Sequence, residues 1–185
     1  MANKVEFGIS NLYIGTYTVA TNGTVTLGTP YHQPGAVSFA PEMNSDLSTF
    51  YADDIAYYTS YSGGTIDGDL EVAKFDDAFK TDFLAYAAKT DGGLALVKGA
   101  TKPNVYIAFE VQGDNQKRRV IYYNASLGEI TREYSTIEES KEPVTETIPV
   151  SIAGDNATGV MMVSYNQGTT GYNNLFTNPP VPSTT

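Results

Sequence analysis

Apolar and polar residues alternate along most of the chain, and the alternation marks out strands. Val5 to Val19 alternates in VEFGI and continues as LYIGTYTV, which predicts one or two strands with a bend at Gly15. Asn22-Gly23 accepts positive φ at low cost and predicts a hairpin turn into a short strand over 24–27. Gly28 to Pro34, broken by Pro30 and Pro34, is expected to be a loop before a strand over 34–42. Thr65 to Lys74 alternates most cleanly, with Ile66, Gly68, Leu70 and Val72 on one face and Asp67, Asp69 and Glu71 on the other. Asn104 to Gln112 turns at Gly113-Asp114-Asn115 and returns as Val120 to Ala125, a hairpin with Val105, Ile107, Phe109 and Val111 inward. Strands over 144–152, with Pro143 and Pro149 limiting how it pairs, and 159–165 follow. The pattern predicts a mainly β fold, a β-sandwich or small barrel.

One stretch has a different period. Phe75, Phe79 and Phe83 recur every four residues, which predicts one flanking helix over about 76–89 with its aromatic stripe in the core. Asp76 or Asp77 is placed to cap its start, Lys89 suits its end, and Gly92-Gly93 would stop it.

Between the strands over 34–42 and 65–74, which are expected to pair, lies an excursion over 44–64. It gathers Phe50, Tyr51, Tyr57, Tyr58 and Tyr61 around the acidic pair Asp53-Asp54 and ends at Gly63-Gly64. A loop of this length in a compact domain is usually functional or disordered, and its aromatic content argues against disorder. Tyrosine gives stiff contact area with a polar tip, so the excursion is expected to be covered by a partner; closing one end of a sandwich is the plainer alternative.

The charge balance narrows the partners. The 185 residues carry 21 acidic and 11 basic side chains, a net charge of −10, so the chain lacks the basic face that gripping nucleic acid requires. Its one tight basic cluster is Lys117, Arg118 and Arg119 at the rim of the 104–125 hairpin, a candidate to meet Asp53-Asp54 of a neighbouring subunit. No apolar run approaches a membrane span, and MANKVEFGIS does not resemble a signal peptide. Cysteine is absent, and with it disulfides and thiolate metal sites.

The search for chemistry yields no candidate. The single histidine, His32, lies between prolines, with no nucleophile elbow to complete a triad and no second ligand for zinc. Asp67-Gly-Asp69-Leu-Glu71 fails the EF-hand spacing, since Val72 and Ala78 stand where glycine and glutamate are needed. Neither phosphate-binding glycine motif occurs, and the adjacent acidic pairs are no evidence for a carboxylate dyad. No catalytic, cofactor or metal residue is assigned.

STFYADDIAYYT, Ser48 to Thr59, resembles the signature of the major tail tube proteins of long-tailed, siphovirus-type phages and prophages of Gram-positive bacteria. STIEESKEPVTETIPV, Ser135 to Val150, is similar to that family's late strand, and NLYIG, PGAVSF and FDDAFKTDFL fall in the expected order. The resemblance implies a structural virion protein, made in the bacterial cytoplasm, whose hexameric rings stack into the tail tube. The tape measure protein and tail initiator and terminator proteins would be its partners, and DNA would pass through unbound at ejection. Phe50, Tyr51, Asp53, Asp54, Tyr57, Tyr58 and Tyr61 would then form the ring-stacking loop, and Asp67, Asp69 and Glu71 the lumen face. One domain over 1–165 would be followed by an extended arm over 166–185, with Tyr172, Leu175 and Phe176 anchoring it on a neighbour or lying on the subunit's own surface. The competing reading is a monomeric carbohydrate-binding sandwich that stacks sugars on Tyr51, Tyr57, Tyr58 and Tyr61.

Overall fold

The computed structural model describes residues 8–45, 47–61, 63–113, 117–134 and 144–184. The strands run β1 (Gly8–Val19), β2 (Val25–Leu27), β3 (Tyr31–Gln33), β4 (Ala36–Phe39), β5 (Glu42–Met43), β6 (Leu47–Ala52), β7 (Ile55–Tyr61) and β8 (Ile66–Val72). After helix α1 (Asp77–Leu84) come β9 (Ala87–Ala88), β10 (Leu94–Ala95), β11 (Val105–Gln112), β12 (Arg119–Leu127), β13 (Thr131–Arg132), β14 (Glu146–Ile152), β15 (Met162–Tyr165) and helix α2 (Thr170–Asn174). Strands hold 48% and helices 8% of the described residues, the mainly β class expected. The expected turn at Gly113-Asp114-Asn115 lies largely outside the described residues, as does most of the acidic lead-in from Ser135 to Pro143.

The principal sheet is ordered β2-β1-β11-β12-β14-β8-β4, and β3, β5, β13 and β15 extend it at its edges. Neighbouring strands are antiparallel throughout. The sheet folds over on itself, so that Phe39 of β4 meets the edges of Phe109 and Tyr122 with ring centroids 6.0 and 5.5 Å apart. The space between is filled by Leu12, Ile14, Leu70, Val72, Ile107, Ile148 and Ile152, all fully buried. As expected, β4 and β5 pair with β8 on either side of the excursion.

Helix α1 closes the open side of this core. Phe75 and Phe79 are fully buried and stack at 4.6 Å, with Phe83 next in line at 5.2 Å. The stripe is core, but the helix is shorter than the predicted span over 76–89. Asp76 caps it by accepting the Phe79 N–H at 2.7 Å. It ends at Ala85, which takes a left-handed conformation (φ 55°). Beyond Leu84 the sequence has no apolar side chain left to bury on that face, so further turns would gain nothing. Ala87–Ala88 pairs with Leu94–Ala95 instead, and Gly92 turns that small hairpin (φ +86°) rather than stopping a helix.

Two details of the first hundred residues differ from the pattern. The irregularity in β1 is a bulge between Ser10 and Tyr13, where Asn11 has φ 50°. Gly15 is no bend: a Cβ there would lie 2.4 Å from the Tyr106 hydroxyl, so the glycine admits that ring. Within the expected loop over 28–34, Tyr31–Gln33 pairs with β1 as β3.

A second core lies on the outer face of β1, β11 and β12. Tyr17, Tyr106, Ala108, Ile121 and Tyr123 are buried there, under Leu175 of the C-terminal segment. Inside it the Tyr17 hydroxyl donates to the buried Asp155 carboxylate at 2.6 Å, and the Thr158 backbone and hydroxyl donate to the same carboxylate. Burial pushes the Asp155 pKa up, but these donors outweigh it and hold the carboxyl below its usual value. Folding therefore favours the ionised form. The stabilisation is full above the unfolded carboxylate range and is lost as pH falls through the lower folded value. Asp155→Asn is expected to lower the melting temperature at neutral pH and to flatten its decline below about pH 4. Thermal melts across an acid pH series check this, and parallel acid profiles for the two proteins would refute it.

Candidate assembly surfaces

The excursion is a β-hairpin that stands apart from the principal sheet. β6 and β7 pair only with each other, forming a separate two-stranded sheet. Asp53 and Asp54 form its two-residue turn with φ 53° and 61°, the twist that a tight hairpin requires and that aspartate tolerates better than most residues. At its neck the Asn44 N–H donates to the Thr65 carbonyl at 2.8 Å. Gly64 lies so close to Asn44 that a Cβ there would meet the Asn44 carbonyl oxygen at 1.4 Å.

Register assigns the hairpin's side chains to faces. Phe50 opposes Tyr58, and Ala52 opposes Ile55, so Phe50, Ile55 and Tyr58 share one face. Leu47 and Tyr51 lie on the other, and a bulge leaves Tyr57 without a partner on β6. All six are more than half exposed, from 54% for Leu47 to 73% for Tyr57. Tyr51 and Tyr58 face opposite ways, so they do not form the shared platform that sugar stacking would use.

Asp67, Asp69 and Glu71 lie on the face of β8 turned away from the core, as expected. Hydrogen bonding from Ser151, with further bonds from Asn44 and Thr65, outweighs desolvation and holds the Asp67 carboxyl below its ordinary value. Thr145 and Ser38 do the same for Glu71. Neutral donors hold these charges in place; among the described residues no cation pairs with any of the three. They border a groove of about 740 Å³ along β8, β14 and the end of β12, to which Glu42 adds another carboxylate.

The basic tip is not the free cluster expected. Lys117 is exposed and Arg118 half-buried, but Arg119 is drawn inward. Its guanidinium pairs with Glu110 at 3.0 Å and donates to the Tyr172 carbonyl at 2.7 Å. The group sits 4.0 Å from the Tyr172 ring centre and 4.2 Å from that of Phe176. Arg119 lies in a strand with its side chain on the covered face, so it is committed within its own subunit.

The same contacts correct the expected arm. Thr169 caps α2 through the Tyr172 N–H, Leu175 is fully buried, and Phe176 stacks on Tyr13 at 4.4 Å. The Tyr123 hydroxyl holds the Pro180 carbonyl at 2.9 Å. The segment over 166–184 is docked on its own subunit because the outer faces of β11 and β12 are apolar and need a cover. A continuous apolar run at Val105–Phe109 and again at Val120–Tyr123 is the signal for such two-sided burial.

Comparison with known proteins agrees with this geometry. No curated protein matches the chain. Among solved structures, the anti-feeding prophage cap (a tube-terminating cap) aligns over 88% of this chain and 93% of its own, with a TM-score of 0.51 and 10% identity. A chain of an extracellular contractile injection system's sheath–tube complex in its extended state aligns over 88% and 94%, with a TM-score of 0.52 and 10% identity. At that identity the likeness concerns the fold. A family model described as phage tail tube protein matches residues 2–161. The chain belongs to the phage tail tube protein family and is a structural component of the virion tail.

Proposed function

We propose that six copies of this chain close into a ring and that rings stack head to tail into the tail tube of a siphovirus-type phage of Gram-positive bacteria. A contact between unlike surfaces closes when its rotation completes a circle, and it propagates as a filament when it does not. In this reading the β6–β7 hairpin of one ring docks on the next. The observation that carries the proposal is that hairpin: it shares no strand pairing with the body and leaves six large side chains exposed. A two-stranded hairpin is marginal on its own in water, so a partner surface is needed to hold it. Assembly takes place in the host cytoplasm, between an initiator and a terminator and around the tape measure protein, and the finished tube conducts DNA at ejection.

Negative-stain electron microscopy over a concentration series, with mass from light scattering, tests the proposal. Hollow sixfold rings or tubes are expected; solid fibres or closed oligomers of another symmetry would overturn it.

The acidic face fits the channel wall, since carboxylates fixed by neutral donors repel phosphate along the whole path. Asp69→Cys introduces the only thiol of a cysteine-free chain. It is expected to react with a bulky maleimide reagent in the free subunit and to be protected in assembled tubes. Equal labelling in both states would place this face outside.

A further inference from the structure

The hairpin is apolar on both faces. Phe50, Ile55 and Tyr58 cover one side, Leu47 and Tyr51 the other, and none is sheltered by its own subunit. A segment that lies flat on one neighbour needs one apolar face and leaves the other polar, as strands on the surface of a sheet do. This hairpin has no polar face of that kind.

Area leads to the same conclusion. An aromatic side chain contributes roughly 150–250 Å² when fully buried, so at these exposures one face offers on the order of 300 Å². Stable interfaces bury about 800 Å² per partner. One face falls far short, whereas two faces and the tip together come near that figure.

From this we propose that the hairpin is a wedge seated between two copies of this chain in the adjacent ring, one copy against each face. The proposal rests on the stacking role given above and adds the number of partners. The surface of the chain offers matching chemistry. The hairpin's only charged groups are Asp53 and Asp54 at its tip. Lys98 is exposed beside the exposed Leu96 and Val97, at a pit of about 360 Å³ floored by Leu84. A cation within an apolar rim complements an acidic turn flanked by Ile55 and Tyr57. The consequence for assembly is that a lone subunit offers half a seat, and only a ring with neighbouring subunits in place accepts the next layer.

Native cysteine is absent, so Tyr51→Cys/Tyr58→Cys places one thiol on each face of the hairpin. The variant is labelled at both thiols with a photo-crosslinking maleimide, mixed into a large excess of unlabelled chain and assembled into tubes before irradiation. Covalent trimers of one labelled and two unlabelled chains are the expected product. Dimers alone would overturn the wedge while leaving the stacking role intact. Tubes that form with no adduct between chains would overturn both. Serine variants provide a second measurement if the label hinders entry. Phe50→Ser/Tyr58→Ser and Leu47→Ser/Tyr51→Ser are each expected to reduce tube yield by about tenfold or more, the scale of losing roughly 1.4 kcal/mol per contact. Full yield from either variant refutes a two-sided seat, and an unchanged melt of the free subunit confirms that the body still folds.

Discussion

Replacing residues 47–61 by a short Asn-Gly turn is expected to abolish tube formation and leave the subunit as stable as before. The neck already brings the ends together through the Asn44–Thr65 backbone bond, so the shortened chain can close without strain. The core contains no residue of β6 or β7. The loss of stability is therefore expected to stay below about 1 kcal/mol, a shift of roughly 2–4 °C for a domain of this size. Differential scanning calorimetry measures the subunit and electron microscopy the assembly. A deletion variant that still grows tubes would remove the hairpin from the interface between rings.

Glu146→Ala should have the opposite effect, with a large loss of stability and no direct effect on any exposed surface. Glu146 is 2% exposed at the start of β14. One carboxylate oxygen accepts the Phe75 N–H at 2.7 Å, just ahead of α1, and the other pairs with Arg132 of β13 at 3.2 Å. Removing it leaves a buried amide without an acceptor, which costs about 1–3 kcal/mol, and it empties the space the side chain filled. Arg132 is partly exposed and regains water, so the broken pair adds less than a fully buried one would. A total of about 2–4 kcal/mol corresponds to a fall of roughly 5–15 °C in melting temperature. Chemical denaturation would check the energy, and a loss under about 0.5 kcal/mol, the range of ordinary surface changes, would show that the carboxylate does not anchor α1.

These cases also show what sequence pattern can and cannot reveal. The strands over 66–72 and 105–112 were legible because strict alternation follows from one buried and one exposed face. The aromatic stripe of α1 was legible for the same reason, but its length was not. Three phenylalanines predict a buried face and say nothing of where the next segment finds a strand partner. The hairpin was legible as a long aromatic excursion; that it is built of two strands depends on Asp53 and Asp54 both adopting positive φ. Least legible was the C-terminal segment. Its Gly, Asn and Pro content carries no period, and its docking depends on Arg119, more than fifty residues earlier, which in sequence looked like part of an exposed basic cluster.

The separation of hairpin from body bears on how such a tube diversifies. Side chains in the two cores answer to one another within a single chain, so a change at Phe79 or Ile107 must be compensated inside the same fold. Side chains at Phe50, Tyr51 or Tyr58 answer only to the neighbouring copy, and substitutions there escape the demands of folding. Partner choice can therefore drift while the scaffold stays constant. Two related tubes made in one cell could remain unmixed through differences confined to this fifteen-residue stretch.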